Sequence, residues 1–194
     1  MSTVKSVCVY CGSSGQVDEI FKQSATALGK IFAEAGIRVV FGGGRVGLMG
    51  LVSDAAMMHG GTVIGIIPEH IAEKEIAHSG LTELHVVESM HERKQMMVDR
   101  ADAFVILPGG LGTMDEFFEI LTWWQLGLHD KPIVIANIDG YWTPLLALID
   151  NIIDHKFARQ SDREYLSVVD RVEDILDALQ RTPRGKIDVE PKWR

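Results

Sequence analysis

The chain has 194 residues, 46% of them hydrophobic and 24% charged, so it can bury roughly 70% of its unfolded surface and needs neither disulfides nor a structural metal. Its net charge is −8, and no run of Lys or Arg is long enough to follow a nucleic-acid backbone, which argues against nucleic acid as a partner. It shows neither a basic, apolar leader nor a stretch of about 18 apolar residues, so we expect a cytoplasmic protein that does not bind membranes.

Short β-rich segments alternate with helical patterns along the whole chain. The predicted strands are 4–10, 38–41, 62–67, 84–87, 103–107 and 133–138, and the predicted helices are 17–35, 47–59, 90–101, 113–127, 143–156 and 171–181. The strands are continuous apolar runs, which are typical of a parallel sheet covered on both faces. The alternation predicts an α/β protein with a single-domain, Rossmann-like, doubly wound parallel sheet of six to seven strands and helices on both faces. We expect this domain to span 1–182 and to be followed by a poorly ordered tail, 183–194.

Three of the predicted strands end in glycine-rich turns, at 11–15, 42–47 and 108–112. Ligands of doubly wound sheets bind beyond the carboxyl ends of the strands, so we expect the three turns to meet at one edge. The third turn leads directly into a helix, whose free N–H groups and partial positive charge favour an anion. Neither G-K-[ST] nor a G-x-G-x-x-G after the first strand is present, so a monophosphate fits better than a triphosphate or a dinucleotide. Any one of these turns could equally be glycine-rich for steric reasons alone.

Glu116 lies in the first part of the helix that follows the third turn, and its sequence context allows two interpretations. Residues 113–116 form a T-x-x-E capping box, in which Thr113 caps the helix and Glu116 reaches back to its N–H. Alternatively, Glu116 is an acid beside an anion site. Gly112 favours the second interpretation, because a cap alone does not need it. Glu119, one turn further on, is the other candidate acid.

Arg93 and Lys94 lie on one face of the predicted helix 90–101 together with Met90 and Met97. In one interpretation, their aliphatic side-chain carbons cover the core while the charged ends reach water. In the other, the guanidinium of Arg93 and the ammonium of Lys94 bind an anionic, hydroxyl-rich ligand. The helix precedes the strand that ends in the third turn, so both side chains can reach that turn.

Trp123 and Trp124 are adjacent on a predicted helix and about 100° apart, so one surface is not expected to bury both. We expect one in the core. The other, with Leu126 and Leu128, indicates the subunit interface of a homodimer.

Cys8 and Cys11 have a C-x-x-C spacing, which redox pairs and zinc sites also use. Cys8, however, lies inside an apolar strand instead of opening a helix, and no second C-x-x-C follows, so we expect two buried, reduced thiols. The seven histidines are scattered, without H-E-x-x-H or a close pair. We therefore expect no metal and no cofactor.

Two of these segments are similar to motifs of the LONELY GUY (LOG) family, whose members are cytokinin riboside 5′-monophosphate phosphoribohydrolases. Residues 108–116 match P-G-G-x-G-T-x-x-E, and residues 90–94 resemble the M-x-x-R-K that accompanies it. The early Cys-Gly-Ser-Ser and the segments 64–68 and 122–127 give further matches. The resemblance covers about residues 4–180.

The resemblance implies hydrolysis of the N-glycosidic bond of a nucleoside 5′-monophosphate, such as isopentenyl-AMP or AMP, to a free base and ribose 5-phosphate. It also implies that Arg93 and Glu116 are the catalytic pair, and that a homodimer carries its sites near the interface. Together with the glycine turns, it gives these expected substrate contacts: Ser13, Gly43, Gly44, Glu75, Met90, Lys94, Gly109, Gly110, Gly112 and Thr113. Similar sequences are often labelled lysine decarboxylases, but we identify no lysine site for pyridoxal phosphate, and about 190 residues is small for such an enzyme.

The residue types suit this chemistry, because N-glycosidic cleavage passes through an oxocarbenium-like ribosyl cation. Glu116 can stabilise that charge, bind ribose hydroxyls or orient the attacking water. A guanidinium does not release its proton near neutral pH, so Arg93 is assigned to binding and charge positioning; the acid that protonates the leaving base is not identified. The alternative is a non-catalytic carrier of a nucleotide or of the molybdenum cofactor, which would not need the Arg93–Glu116 pair. A single-stranded DNA-binding relative is disfavoured by the acidic charge.

Overall fold

The computed structural model describes residues 4–72 and 77–181. Its strands are β1 (Ser6–Tyr10), β2 (Arg38–Phe41), β3 (Val63–Pro68), β4 (Glu83–Val87), β5 (Ala103–Ile106), β6 (Ile133–Ala136) and β7 (Leu166–Val169). All pair in parallel, in the order β4-β3-β2-β1-β5-β6-β7. The predicted parallel sheet is confirmed.

The helices connect successive strands, as right-handed crossovers require. They are α1 (Glu19–Glu34), α2 (Gly47–Met58), α3 (Glu69–Ala72), α4 (Met90–Asp99), α5 (Leu111–Gln125), α6 (Thr143–Asp154), α7 (Gln160–Glu164) and α8 (Ile175–Arg181). Single 3₁₀ turns, Ile138–Gly140 and Val172–Asp174, precede α6 and α8. Among the described residues, no helix is both long and apolar enough to cross a bilayer.

The sheet separates two hydrophobic cores, and β1 contributes to both. Side chains alternate across a strand, so Val7 and Val9 pack with α1, α2 and α8, whereas Cys8 and Tyr10 pack with α4, α5 and α6 on the opposite face. Each large apolar side chain buried in this way stabilises the fold by about 1.5–3 kcal/mol. The prediction of helices on both faces is confirmed.

The two cysteines of the C-x-x-C pattern are free and buried, as predicted. Burial raises the pKa of both thiols, and the negative charge of Glu116 adds to the shift. Both groups are therefore protonated at neutral pH, and neither is a ready nucleophile.

All six strands predicted from the pattern are present, with ends that differ by at most two residues. The pattern does not place β7, because its sequence, Leu-Ser-Val-Val, contains a polar residue and is not a continuous apolar run. The connection between β3 and β4 begins with the short helix α3. Glu75 and the predicted tail, 183–194, lie outside the described residues.

The chain order reverses between β1 and β5, which are neighbours in the sheet but are separated in sequence by three other strands. Crevices at the carboxyl ends of strands at such a switch point are the usual ligand sites of doubly wound folds. The turns that follow β1 and β5 are the first and third glycine-rich turns. The topology therefore brings the predicted site to this edge.

Candidate functional site

The three glycine-rich turns meet at the carboxyl edge of the sheet, as predicted. The N–H of Gly12 in the first turn donates to the carbonyl of Pro108 in the third, at 3.0 Å, and the N–H of Leu48, just after the second turn, donates to the carbonyl of Gly12, at 2.9 Å. Gly47 packs so closely on the first turn that a Cβ there would lie 2.4 Å from the carbonyl carbon of Ser13. The first turn thus contacts both of the other turns. Ser13, within it, is exposed.

Arg93 reaches this edge from α4 with its charged end buried. Its Nη1 lies 3.3 Å from Oε1 of Glu116, and the two side chains are only 9% and 10% exposed. Nε donates to the carbonyl of Ile66 at 3.2 Å, and Nη2 donates to the carbonyl of Gly42 at 3.5 Å. For Arg93, the interpretation as a cation whose charge reaches water is wrong, because three groups from β3, the second turn and α5 hold the guanidinium inside.

Gly42 makes room for this guanidinium. A Cβ on Gly42 would lie 2.1 Å from Nη2 of Arg93, closer than any real contact. The sequence gives no sign of this role, because a glycine after an apolar strand is explained as well by the turn itself.

Glu116 is buried on α5, but the predicted capping box is wrong. The helix begins at Leu111, two residues earlier than predicted, with Gly110 as its N-cap in an extended conformation and without a side-chain capping bond. Thr113 is therefore inside the first turn of the helix, and Glu116 is in the second. The position of Glu116 is explained by its pairing with Arg93 rather than by capping.

In the third turn, packing within the protein requires glycine at position 109 but not at positions 110 and 112. A Cβ on Gly109 would lie 2.1 Å from Oγ1 of Thr113, which is buried. A Cβ on Gly110 or Gly112 would meet no neighbouring atom within 4 Å among the described residues, and neither residue has a positive φ. Open space beside the N–H groups of a helix N-terminus is what an anionic ligand needs in order to approach the backbone.

Lys94 lies beside Arg93 on α4, but its ammonium faces α5. Nζ lies 2.9 Å from Glu119 and 3.2 Å from Asp115. Burial lowers the pKa of Lys94, but the hydrogen bonds to Glu119 and Asp115 outweigh it, and the net shift is upward. The lysine therefore stays protonated and links α4 to α5. It forms an ion pair with Glu119, the second candidate acid.

The second turn is covered by Ala77 and His78. The N–H of His78 donates to the carbonyl of Gly43 at 3.1 Å, and Gly44 forms an antiparallel bridge with Ala77. The buried ring of His78 is held in turn by Asp54 of α2, with Nε2 2.7 Å from Oδ1. Gly43 and Gly44 are therefore buried by the chain's own backbone. Met90, the remaining predicted contact within the described residues, is half-buried at the start of α4.

Tyr141 belongs to this edge and is not among the predicted site residues. It follows β6, the neighbour of β5, and its hydroxyl donates to the carbonyl of Gly109 at 2.6 Å. The sequence does carry a signal for Tyr141. The Asp139-Gly140 pair before it indicates a turn directly after an apolar strand, and the carboxyl end of that strand lies at the same edge of the sheet as the glycine-rich turns.

Fold and site together define a doubly wound α/β protein with a buried arginine–glutamate pair and an open, glycine-rich helix N-terminus at its switch point. A family model described as "Possible lysine decarboxylase" matches residues 49–179. A cytokinin riboside 5′-monophosphate phosphoribohydrolase of Rhodococcoides fascians is 46% identical over 179 residues, which are 92% of this chain and 90% of that one. Another, of Arabidopsis thaliana, is 41% identical over 92% of this chain and 78% of that one. The chain belongs to this family of phosphoribohydrolases, the LONELY GUY family.

The fold is shared more widely than the family. A solved structure of the molybdenum-cofactor carrier protein of Chlamydomonas reinhardtii aligns with a TM-score of 0.70, covering 93% of this chain and 98% of that one. The two sequences are only 19% identical, so the likeness is one of fold alone.

Proposed function

We propose that this protein hydrolyses the N-glycosidic bond of nucleoside 5′-monophosphates, releasing a free base and ribose 5-phosphate. The names of its relatives support cytokinin riboside 5′-monophosphates as substrates, with isopentenyl-AMP and AMP as the representatives to test. The observation that carries the proposal is the buried Arg93–Glu116 pair beside the open N-terminus of α5.

In the proposed mechanism the 5′-phosphate accepts from the N–H groups of Gly110, Leu111 and Gly112 at the start of α5, with the hydroxyl of Thr113 beside them. A helix N-terminus alone stabilises an anion by about 0.3–2 kcal/mol, so these donors must act together. The ribose then lies toward Glu116, whose carboxylate stabilises the positive charge that develops as the bond to the base breaks, and orients the attacking water. Arg93 holds this carboxylate in place, and its positive charge stabilises the negative charge of the buried carboxylate.

The direct test is to incubate the protein with AMP and with isopentenyladenosine 5′-monophosphate and to measure free base by chromatography. Adenosine is the matched control, because it keeps base and ribose but lacks the phosphate. We expect base from at least one monophosphate and far slower release from adenosine. No base from either monophosphate at high enzyme concentration would contradict the proposal, and equal rates for AMP and adenosine would contradict the phosphate site.

A lysine decarboxylase function is disfavoured by the lysines of the described residues. A lysine that forms a Schiff base must become neutral, which a desolvated site with a lowered pKa allows. At the site, Lys94 has a raised pKa and two carboxylate partners. Lys131 does have a pKa lowered by burial, but it precedes β6 at the opposite edge of the sheet.

Replacing Gly112 by alanine is expected to stabilise the fold and to weaken substrate binding at the same time. Alanine is favoured over glycine inside a helix by about 0.5–1 kcal/mol, and a Cβ at Gly112 would clash with nothing in the part of the chain that the structure describes. In the proposed complex, that Cβ enters the space of the phosphate, so KM for AMP rises while the thermal unfolding midpoint also rises. Kinetics and thermal unfolding of the same preparation measure both effects. An unchanged KM in a stabilised Gly112→Ala variant would show that the phosphate does not lie there.

We also propose a homodimer whose interface includes the end of α5. Trp124 is buried and Trp123 half-buried, and beyond them Leu126 and Leu128 are 61% and 67% exposed. Exposed leucines that adjoin a tryptophan are more typical of an interface than of a solvated surface. Sedimentation is expected to give twice the chain mass of 21.5 kDa. Leu128→Glu is expected to yield monomer, whereas Leu148→Glu on α6 serves as the control. A monomeric wild-type protein would contradict the proposal.

We propose a cytoplasmic location for this activity. Two free, buried thiols, Cys8 and Cys11, are compatible with a reducing compartment.

A further inference from the structure

Tyr141 makes a contact with the third glycine-rich turn that the proposed mechanism has not used. Its hydroxyl donates to the carbonyl oxygen of Gly109 at 2.6 Å, across 32 positions of sequence. The side chain is 40% exposed at the mouth of the site. The distance lies within the usual range of an O–H···O hydrogen bond.

The ring of Tyr141 is held in place from two sides. Phe21 of α1 meets it edge to face, with centroids 5.4 Å apart at 72°, and Trp142 does so at 4.8 Å and 83°. The backbone before it reverses through Asp139 and Gly140, both at positive φ, and the side chain of Asn137 closes this turn by accepting from the N–H of Trp142 at 2.7 Å. Aspartate tolerates the left-handed region in turns and glycine adopts it freely, so the Asp139-Gly140 pair suits this reversal. The turn therefore directs the hydroxyl toward Gly109.

The carbonyl of Gly109 belongs to the same peptide unit as the N–H of Gly110. The described peptide bonds are all trans, so this carbonyl and this N–H point in opposite directions. Both flanking residues are glycines, and a peptide between two glycines has the greatest freedom to rotate. A hydrogen bond on the carbonyl restricts that rotation, and it therefore sets the direction of the N–H that precedes α5.

We propose that Tyr141 is a positioning residue for the reaction. Its hydroxyl fixes the Gly109–Gly110 peptide so that the N–H of Gly110 stays directed at the 5′-phosphate of the substrate. The inference rests on the proposed function, because it assumes that the phosphate binds at the N-terminus of α5. Tyr141 does not act on the bond that breaks. Removing its hydroxyl therefore affects binding of the phosphate-bearing part of the substrate and leaves the chemical step nearly unchanged.

The test is Tyr141→Phe, which keeps both ring contacts and removes only the hydroxyl. We expect KM for AMP to rise by about two- to tenfold, the range of one net hydrogen bond, with kcat changed by less than about twofold. The inhibition constant of ribose 5-phosphate should rise by the same factor as KM, whereas that of adenine should not change. Tyr165→Phe is the matched control, because the ring of Tyr165 contacts Trp124 away from the turn, and it should change none of these constants.

Two outcomes would overturn the inference: unchanged KM and ribose 5-phosphate inhibition in Tyr141→Phe, or an equal rise of both inhibition constants. Direct titration by calorimetry separates this inference from the proposed function. If the wild-type protein binds AMP without hydrolysing it, and Tyr141→Phe binds AMP and ribose 5-phosphate more weakly, the positioning role stands and the proposed reaction fails. If the wild-type protein binds neither AMP nor ribose 5-phosphate, both fail.

Discussion

Replacing Glu116 by glutamine is expected to lower kcat for AMP by about 10²- to 10⁴-fold, the range for a group that takes part in proton transfer or charge stabilisation. Glutamine keeps the size of the side chain and an oxygen that can accept from Arg93. It lacks the negative charge, which stabilises the ribosyl cation and favours the attacking water as it loses its proton. The measurement is the initial rate of base release with saturating AMP. KM should change less than kcat, because the phosphate contacts remain.

The same substitution tests whether Glu116 is instead a structural partner of Arg93. The structure predicts a decrease of about 1–3 kcal/mol in the free energy of unfolding, because the buried guanidinium of Arg93 loses its ionic partner. Glu119→Gln is the control: it removes a carboxylate one turn further along α5 that pairs with Lys94. Near-normal kcat in a destabilised Glu116→Gln variant would assign Glu116 to structure alone.

The meeting of the three glycine-rich turns could be predicted, because it depends on features that the sequence carries. Buried parallel strands appear in the sequence as continuous apolar runs. The carboxyl ends of parallel strands lie at the same edge of the sheet. Burial of one face of α4 was predictable in the same way, since Arg93, Lys94 and Met97 recur with helical spacing and are all buried.

Two of the three partners of Arg93 could not be predicted, because they are main-chain carbonyls. Every residue has such a carbonyl, so nothing in the sequence distinguishes Ile66 and Gly42 as acceptors. The contact of Tyr141 with Gly109 has the same character. It depends on the neighbouring positions of β5 and β6 in the sheet, which only the strand order reveals.

The failure of the capping box has a different origin. T-x-x-E is a reliable local pattern, but the start of α5 is decided by the turn from β5, which packs Gly109 against Thr113 and Gly12. That packing places Thr113 inside the helix and leaves Gly110 as the N-cap. Tertiary contacts thus override a local preference worth about 1 kcal/mol.

Replacing Arg93 by lysine is expected to lower kcat/KM for AMP by about 100-fold or more, the range for loss of one preorganised electrostatic contact. Lysine keeps the positive charge. Its ammonium cannot reproduce the planar set of donors with which Arg93 meets Glu116, Ile66 and Gly42 together. Glu116 then loses its fixed orientation toward the ribose. Arg100→Lys, an exposed change at the end of the same helix, where Arg100 pairs with Glu83, should alter kcat/KM by less than about twofold.

The double variant Arg93→Lys/Glu116→Gln shows whether the pair acts as one unit. If Arg93 serves the reaction through Glu116, the double variant should be hardly slower than Glu116→Gln alone, because the carboxylate that Arg93 positions is already gone. If the two losses multiply, Arg93 acts on the substrate independently, and its assignment as the residue that orients Glu116 is wrong. Denaturant unfolding of all three variants gives the folded fraction of each. Rates are then expressed per folded protein, so that differences in stability do not affect the comparison.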